Sequence, residues 1–153
     1  MRKIVAIILF FATPSFAGGL DDAFNQSAAG MKAQSERMKV ISQNIANSSS
    51  TGSTPGAEPY RRKLITFTNK KNKATGGESV QVDKIRKDYK TSLQAKFDPA
   101  HPAANSEGYV LMPNVNTSIE NADMKEAQRS YEANLGAIDT TRYMIDVTVD
   151  MLK

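Results

Sequence analysis

The sequence predicts a mainly α-helical fold with a small β-rich insertion, in which helices from the two ends of the chain pair as a coiled coil. Two observations carry this prediction. Near both ends of the 153-residue chain, long stretches repeat apolar residues at alternating spacings of four and three. Between them lie short alternating segments that are typical of strands, separated by residues that break helices.

Residues 1–17 have the pattern of a cleavable secretory signal. Arg2 and Lys3 form a basic start, an apolar run of nine residues follows, and small residues precede the expected cleavage between Ala17 and Gly18. The run is shorter than the roughly twenty residues that span a bilayer. The mature chain is therefore expected to start near Gly18 without a stable membrane anchor. An uncleaved anchor is the alternative interpretation.

The composition excludes several classes of function. The formal net charge is +4, and without Arg2 and Lys3 the chain has 18 basic and 16 acidic residues. This balance is too small to indicate a nucleic-acid partner, and the basic clusters at 61–63 and 70–71 are both interpreted as solvated surface. The chain contains no cysteine, which excludes disulfides, thiolate zinc sites and cysteine nucleophiles.

The first helix is predicted over residues 18–47. Its seam has a heptad repeat, with small residues at Ala28, Ser35 and Ser42. Residues 48–57 follow, rich in serine, glycine and proline, and are predicted to form a flexible loop. The large apolar seam residues of this helix are Phe24, Met31, Met38 and Ile45.

Residues 58–120 are predicted to form a β-rich lobe. Alternation indicates strands over 63–67 and 79–82, with a turn at 75–77 between them. A further short strand is expected at 109–112, where Pro113 ends it.

The second helix is predicted over residues 121–153. Neither helix can bury its seam against so small a lobe, so we expect the two to pair and then to pack against neighbouring subunits. A monomeric helical hairpin, in which the seam is simply core, is the alternative. The seam residues of this helix are Met124, Tyr131, Leu135, Ile138, Ile145 and Val149.

The single histidine, His101, lies in a proline-rich stretch that starts at Asp98. General acid–base or nucleophilic chemistry requires a histidine held beside an activated partner. Prolines on both sides of His101 instead favour a turn. The chain has no phosphate-binding or dinucleotide-binding fingerprint and no carboxylates at metal-ligand spacing. No catalytic residue, metal site or cofactor is therefore predicted.

Four stretches, taken in order, resemble the family of bacterial flagellar rod and hook axial proteins, and in particular its proximal-rod members of the C type. They are the end of the first helix (NIAN, 44–47), PYRRK (59–63), the histidine stretch up to residue 115, and AQRSYEAN (127–134). The residues that carry the resemblance are Asn44, Asn47, Tyr60, Pro99, Pro102, Gly108, Tyr109, Pro113, Asn114, Tyr131 and Asn134.

The resemblance implies a structural protein and not an enzyme. Members of this family polymerise through their terminal helices into the periplasmic drive shaft of the flagellar basal body. The implied partners are further copies of the chain and other rod proteins, with basal-body ring proteins as additional candidates. The seam residues then become subunit-interface residues, and Asn44 and Asn47 are expected to satisfy backbone or neighbouring groups where the helix ends.

The signal sequence departs from this family, whose members usually leave the cell through the flagellum's own export channel. One explanation is delivery to the periplasm by the general secretory route, followed by assembly into the rod. The other is a rod-protein relative that serves the periplasm as an adaptor or binding module and does not form part of a rod.

Overall fold

A computed structural model describes residues 18–71 and 77–152, and confirms the predicted fold class. Helix α1 spans Gly18–Ala46 and helix α2 spans Thr117–Asp150. Four strands lie between them, namely β1 (Lys63–Lys71), β2 (Glu78–Lys87), β3 (Gln94–Phe97) and β4 (Tyr109–Met112). The signal sequence lies outside the described residues, as does most of the turn predicted at 75–77.

The two helices pack antiparallel, with the end of α1 beside the start of α2. Asn44 near the end of α1 contacts Glu120 in the first turn of α2. Arg37 pairs with Asp123, and Gly30 lies against Asn134, whose Oδ1 is 2.6 Å from the position that a Cβ at Gly30 would occupy. A glycine at this position therefore lets the two backbones approach closely.

Helix α2 begins four residues before the predicted start. Asn116 has an extended backbone, and its side-chain oxygen accepts hydrogen bonds from the backbone N–H groups of Ser118 and Ile119. This is N-capping, which satisfies two of the donors that every helix start leaves unpaired. The cap lies inside a segment that has no apolar periodicity, so the spacing alone placed the start at Asn121.

Strands β1 and β2 form an antiparallel hairpin that is longer than predicted. A register shift between Thr66 and Phe67 leaves Asp83 as the extra residue of β2, which is a β-bulge. The hairpin lies along α1: Val80 and Val82 share a groove with Ala29 of that helix.

Strands β3 and β4 form a second antiparallel hairpin, in which Phe97 opposite Tyr109 makes an edge-to-face ring contact at 5.3 Å. Strand β3 was not predicted because it has only four residues, QAKF, and so short an alternation is a weak signal; all four are exposed. Gly108 has φ of +81°, and a Cβ there would lie 2.9 Å from the Phe97 ring. Only glycine fits this turn without strain.

The histidine stretch connects β3 to β4 as a series of turns. The backbone N–H of His101 donates to Asp98 O, and its ring Nδ1 accepts from the N–H of Ala103. Its Nε2 lies 3.3 Å from the hydroxyl of Thr51, so it contacts the serine-rich segment after α1. That segment is itself held by a hydrogen bond from the N–H of Tyr60 to Ser50 O.

Candidate subunit interface and the polar junction that supports it

Helix α1 presents three lines of residues, each repeating every seven positions, to three different surroundings. Successive residues of a helix are about 100° apart, so neighbours in sequence face different directions. The clearest triplet is Ala29, Gly30 and Met31. Ala29 faces the β1–β2 hairpin and Gly30 faces α2. Met31 therefore points to the side of the helix pair opposite the hairpin.

The same triplet recurs one and two heptads further along. Glu36 borders the groove beneath the hairpin, and Gln43 accepts a hydrogen bond from Lys63 Nζ of β1 at 3.0 Å. The next residues, Arg37 and Asn44, pair with Asp123 and Glu120 of α2. The third member of each triplet again lies on the side away from the hairpin. We call this line the apolar flank; it consists of Phe24, Met31, Met38 and Ile45.

The apolar flank is the seam that the sequence predicts for α1, but α1 and α2 meet along a different line. Its four residues are half-buried in the single chain, and Ser35 and Ser42 beside it are exposed. The buried core of α1 lies instead at Ala33, Val40 and Ile41. The structure thus brings the four predicted residues together on one surface, and their role in binding a neighbour stays a prediction.

On α2 the predicted seam divides between the core and the surface. Ile138 is buried, and Met124 and Tyr131 are half-buried. Leu135, Ile145 and Val149 remain exposed in the single chain, at 41%, 37% and 47%.

The last turns of α2 and the two residues that follow it carry further exposed apolar side chains. Tyr143, Met151 and Leu152 are 70%, 74% and 83% exposed. With Leu20 and Val147, Tyr143 also lines a groove of about 470 Å³ between the start of α1 and the end of α2. Contiguous exposed apolar surface of this kind is typical of an interaction site.

A set of buried and half-buried polar residues holds the two helices to the base of the β1–β2 hairpin. We call it the polar junction; it consists of Asn44, Tyr60, Arg62, Asn114 and Glu120. Asn44 is 1% exposed and is the centre of the set. Its Nδ2 donates to Lys63 O and to Glu120 Oε2, and its Oδ1 accepts from the Tyr60 hydroxyl and the Lys63 N–H, all within 2.8–3.1 Å.

Glu120, also 1% exposed, is paired within the junction on both of its oxygens. Arg62 Nε donates to Oε1, and Asn44 donates to Oε2. A buried carboxylate is tolerated only when it is paired in this way. Burial, together with the negative charge of Glu120, raises the pKa of the Tyr60 phenol. The Tyr60 hydroxyl donates to Asn44 Oδ1, and this shift keeps its proton in place to higher pH.

Asn114 connects the junction to the end of β2. Its Oδ1 accepts from the N–H of Arg62 at 2.8 Å, and its Nδ2 donates to Asp88 O and Thr91 O. One amide side chain thus joins the start of β1, the end of β2 and the segment before α2. Such a buried network is stable only while every member is satisfied.

Sequence reasoning found three members of the junction and missed two. Asn44, Tyr60 and Asn114 were singled out through the resemblance, although no specific partner was predicted. Arg62 was interpreted as solvated, which is wrong: its guanidinium binds Glu120 and Asp123. Glu120 was not singled out at all, because one glutamate at the start of a polar helix gives no signal that it will be buried.

The pH dependence of stability gives a test of the hairpin end of this network. Asp88 accepts from the hydroxyl of Thr91 at 2.7 Å and from the N–H groups of Lys90 and Thr91. The Thr91 hydroxyl, followed by these N–H groups and the charge of Arg62, holds the pKa of Asp88 below its usual range. Its contribution to stability is therefore full above about pH 4 and lost as pH falls through the lowered pKa.

We expect Asp88→Asn to lower the melting temperature at neutral pH and to flatten its fall on the acid side. Thr91→Val should act in the same direction, since it removes the hydroxyl donor. Melting curves by circular dichroism between pH 6 and pH 2 measure both effects. If the melting temperature of Asp88→Asn falls with pH as steeply as that of the unmodified chain, other carboxylates cause the acid sensitivity.

The described residues contain neither a membrane-spanning helix nor a metal-binding cluster. Within 18–71 and 77–152, no helix is both long and apolar enough to cross a membrane. Across the same residues, no group of three or more histidine, aspartate or glutamate side chains could hold a metal ion.

Family models match both helical ends of the chain. The model described as flagella basal body rod protein matches residues 24–54, which include the apolar flank. The model described as flagellar basal body rod FlgEFG protein C-terminal matches residues 106–151, which include α2. The paired helices are therefore those of a flagellar axial protein of the basal-body rod.

Curated relatives identify the family within this class. The flagellar basal-body rod protein FlgC of Agrobacterium fabrum is 47% identical over 134 residues, which cover 88% of this chain and 96% of the relative. The FlgC protein of Borreliella burgdorferi is 38% identical over 88% of this chain and 99% of the relative. That of Bacillus subtilis is 36% identical over 80% and 91%.

The chain belongs to the FlgC family of flagellar basal-body rod proteins, and it is a structural subunit of that rod. These comparisons give no support to the adaptor hypothesis.

Proposed function

We propose that the chain polymerises through its terminal helices into the cell-proximal part of the rod, binding further copies of itself and other rod proteins. The apolar flank of α1 and the exposed residues of α2 form the contact surface in this proposal. Ring proteins of the basal body are the second class of partner. The assembled shaft crosses the periplasm and transmits torque for motility.

The apolar flank is the observation that carries this proposal. Its four large side chains recur every seven residues, so they follow one face of α1 for about 32 Å. The hairpin and α2 occupy the other two lines of the helix. A helix from a neighbouring subunit that covers this face gains about 25 cal/mol for each Å² of apolar surface removed from water.

The polar junction also supports this proposal, because it holds the apolar flank in place. It fixes the angle between α1, α2 and the hairpin through buried hydrogen bonds, so the flank is offered as a rigid surface. A rigid surface loses less conformational entropy when a partner binds than a mobile one does.

We further propose that residues 1–17 direct the chain to the periplasm by the general secretory route and are then removed. The basic start and the nine-residue apolar run support this delivery route, although they depart from the family's usual export.

Mass spectrometry of purified basal bodies tests both proposals in one measurement. We expect the chain to be recovered there with Gly18 as its amino terminus. Recovery with an intact Met1 would retain the rod assignment and refute cleavage. If intact basal bodies lack the chain while the mature form is free in the periplasm, the proposed assembly is wrong.

A further inference from the structure

The outer face of the β1–β2 hairpin carries a row of cations that form no salt bridge with any described residue. Side chains alternate between the two faces of a strand. Because Val80 and Val82 face α1, the residues on the other side of the hairpin point away from the helices. On that face Lys84 lies opposite Thr66, and Arg86 lies opposite Leu64.

Lys70 extends this row towards the end of β1. Lys70, Lys84 and Arg86 are all exposed. Among the residues that the structure describes, none of the three takes part in a salt bridge. The acid on the same side is Asp83, whose carboxylate accepts from the Thr66 hydroxyl. From Arg86 to Lys70 the row spans about 20 Å, at roughly 3.3 Å for each residue of a strand.

Helix α2 carries a row of acids, Glu132, Asp139 and Asp146, on the heptad line that begins with the exposed Lys125. They recur every seven residues and are exposed. No salt bridge within 18–71 and 77–152 uses any of them. At about 1.5 Å for each residue of a helix, the row is about 21 Å long. The two rows therefore have opposite charge and similar length, but the cations lie about 7 and about 13 Å apart and the acids about 10 Å apart, so only the ends of the rows coincide.

The two rows lie on opposite sides of the molecule. Asp139 is four residues after Leu135 and three before Arg142, so it shares their side of α2. Arg142 lies over the Phe24 ring, 5.6 Å from its centroid, which puts this side of α2 next to the apolar flank. The flank faces away from the hairpin. A single chain therefore cannot bring its own two rows together.

We propose that the cationic row of the hairpin docks on the acidic row of α2 in a second copy of this chain. The contact is heterologous: each copy offers the hairpin on one side and the acidic row on the other. Contacts of this type do not close as a two-fold dimer; they form rings, or open helical assemblies where the rotation does not close. The two charge rows give direction and register to an assembly whose affinity comes from the neighbouring apolar flank. The inference rests on the proposed self-assembly.

Reciprocal charge reversal tests the pairing. One variant carries Lys84→Glu and Arg86→Glu, and the other carries Glu132→Lys and Asp139→Lys. In either variant alone the two rows have the same net sign, since Lys70 and Asp146 alone are unchanged in the reversed rows, so we expect its amount in purified basal bodies to fall about tenfold in cells that lack the unmodified chain. When the two variants are expressed together, the hairpin row of each variant has the opposite net charge to the α2 row of the other. The amount should then return to within about twofold of the unmodified level.

A matched control reverses two cations that lie off the hairpin's outer face, Lys90→Glu with Lys96→Glu. Both are exposed, and this control should incorporate normally. Circular dichroism of each purified variant establishes that the fold is kept. If either single-row variant incorporates normally, or if joint expression fails to restore incorporation of folded variants, the two rows do not pair.

The outcome also separates this inference from the proposed function. If an apolar-flank variant fails to assemble while both charge-reversed chains assemble normally, the apolar flank is supported as the rod contact and the pairing of the charge rows is rejected. Normal assembly of the flank variant would reject the proposed interface itself.

Discussion

Replacing Asn44 by alanine is expected to lower the free energy of unfolding by about 3 kcal/mol, since it leaves buried hydrogen-bonding groups without partners. Asn44 makes four hydrogen bonds, to Tyr60, to Glu120 and to both backbone groups of Lys63. Alanine cannot replace any of them, and the site is closed to water. Because domains of this size are stable by only about 5–15 kcal/mol, the change is a large fraction of the total.

Asn47 offers a matched control three residues further on. Its amide donates to Gln43 O, and its oxygen accepts from the Ser50 hydroxyl, at a position that is only half-buried. Asn47→Ala should therefore cost about 1 kcal/mol or less. Urea unfolding of residues 18–153, followed by circular dichroism, measures both variants. Equal midpoints for the two would mean that the polar junction does not hold the helices together.

An aspartate at Met38 or Leu135 is expected to prevent assembly while leaving the monomer folded. Met38 is half-buried and Leu135 is 41% exposed in the single chain, so a charge at either position can reach water. In an assembled rod the same carboxylate would have to lose its hydration without a partner. A cost of about 3 kcal/mol corresponds to a contact weakened on the order of 100-fold.

Swimming through soft agar and the content of purified basal bodies measure this effect in cells that express each variant alone. Met38→Leu retains the apolar surface and serves as the control for each readout. The circular dichroism of the purified variants should match that of the unmodified chain. Normal motility with Met38→Asp or Leu135→Asp would exclude these positions from the subunit contact.

The sequence was sufficient to predict the helical architecture of the chain. The heptad spacing from Phe24 to Ile45 and from Met124 to Val149 gave both helices, because only a helix brings residues seven apart onto one line. Alternation gave the approximate positions of β1, β2 and β4. Strand β3 escaped prediction because four alternating residues are too few to indicate a strand. The early start of α2 escaped it because a capping hydrogen bond, and not an apolar period, marks that start.

The candidate site was only partly predictable. The four residues of the apolar flank could be identified as a group, because large apolar residues repeated every seven positions are visible in the sequence. The polar junction could not be derived in the same way. Arg62 and Glu120 belong to residue types that are usually solvated, and their burial depends on a partner 58 residues away in sequence.

The sequence by itself determined that this chain has two amphipathic helices with a heptad repeat and a small strand-rich segment between them. Only the tertiary structure decided which line of each helix meets which neighbour. A repeat of seven fixes the spacing of contacts but not their direction around the helix. In α1 the direction was set by Gly30, Arg37 and Asn44, whose small size or polar partners let α2 approach, and the large apolar line was left half-buried on another side of the helix.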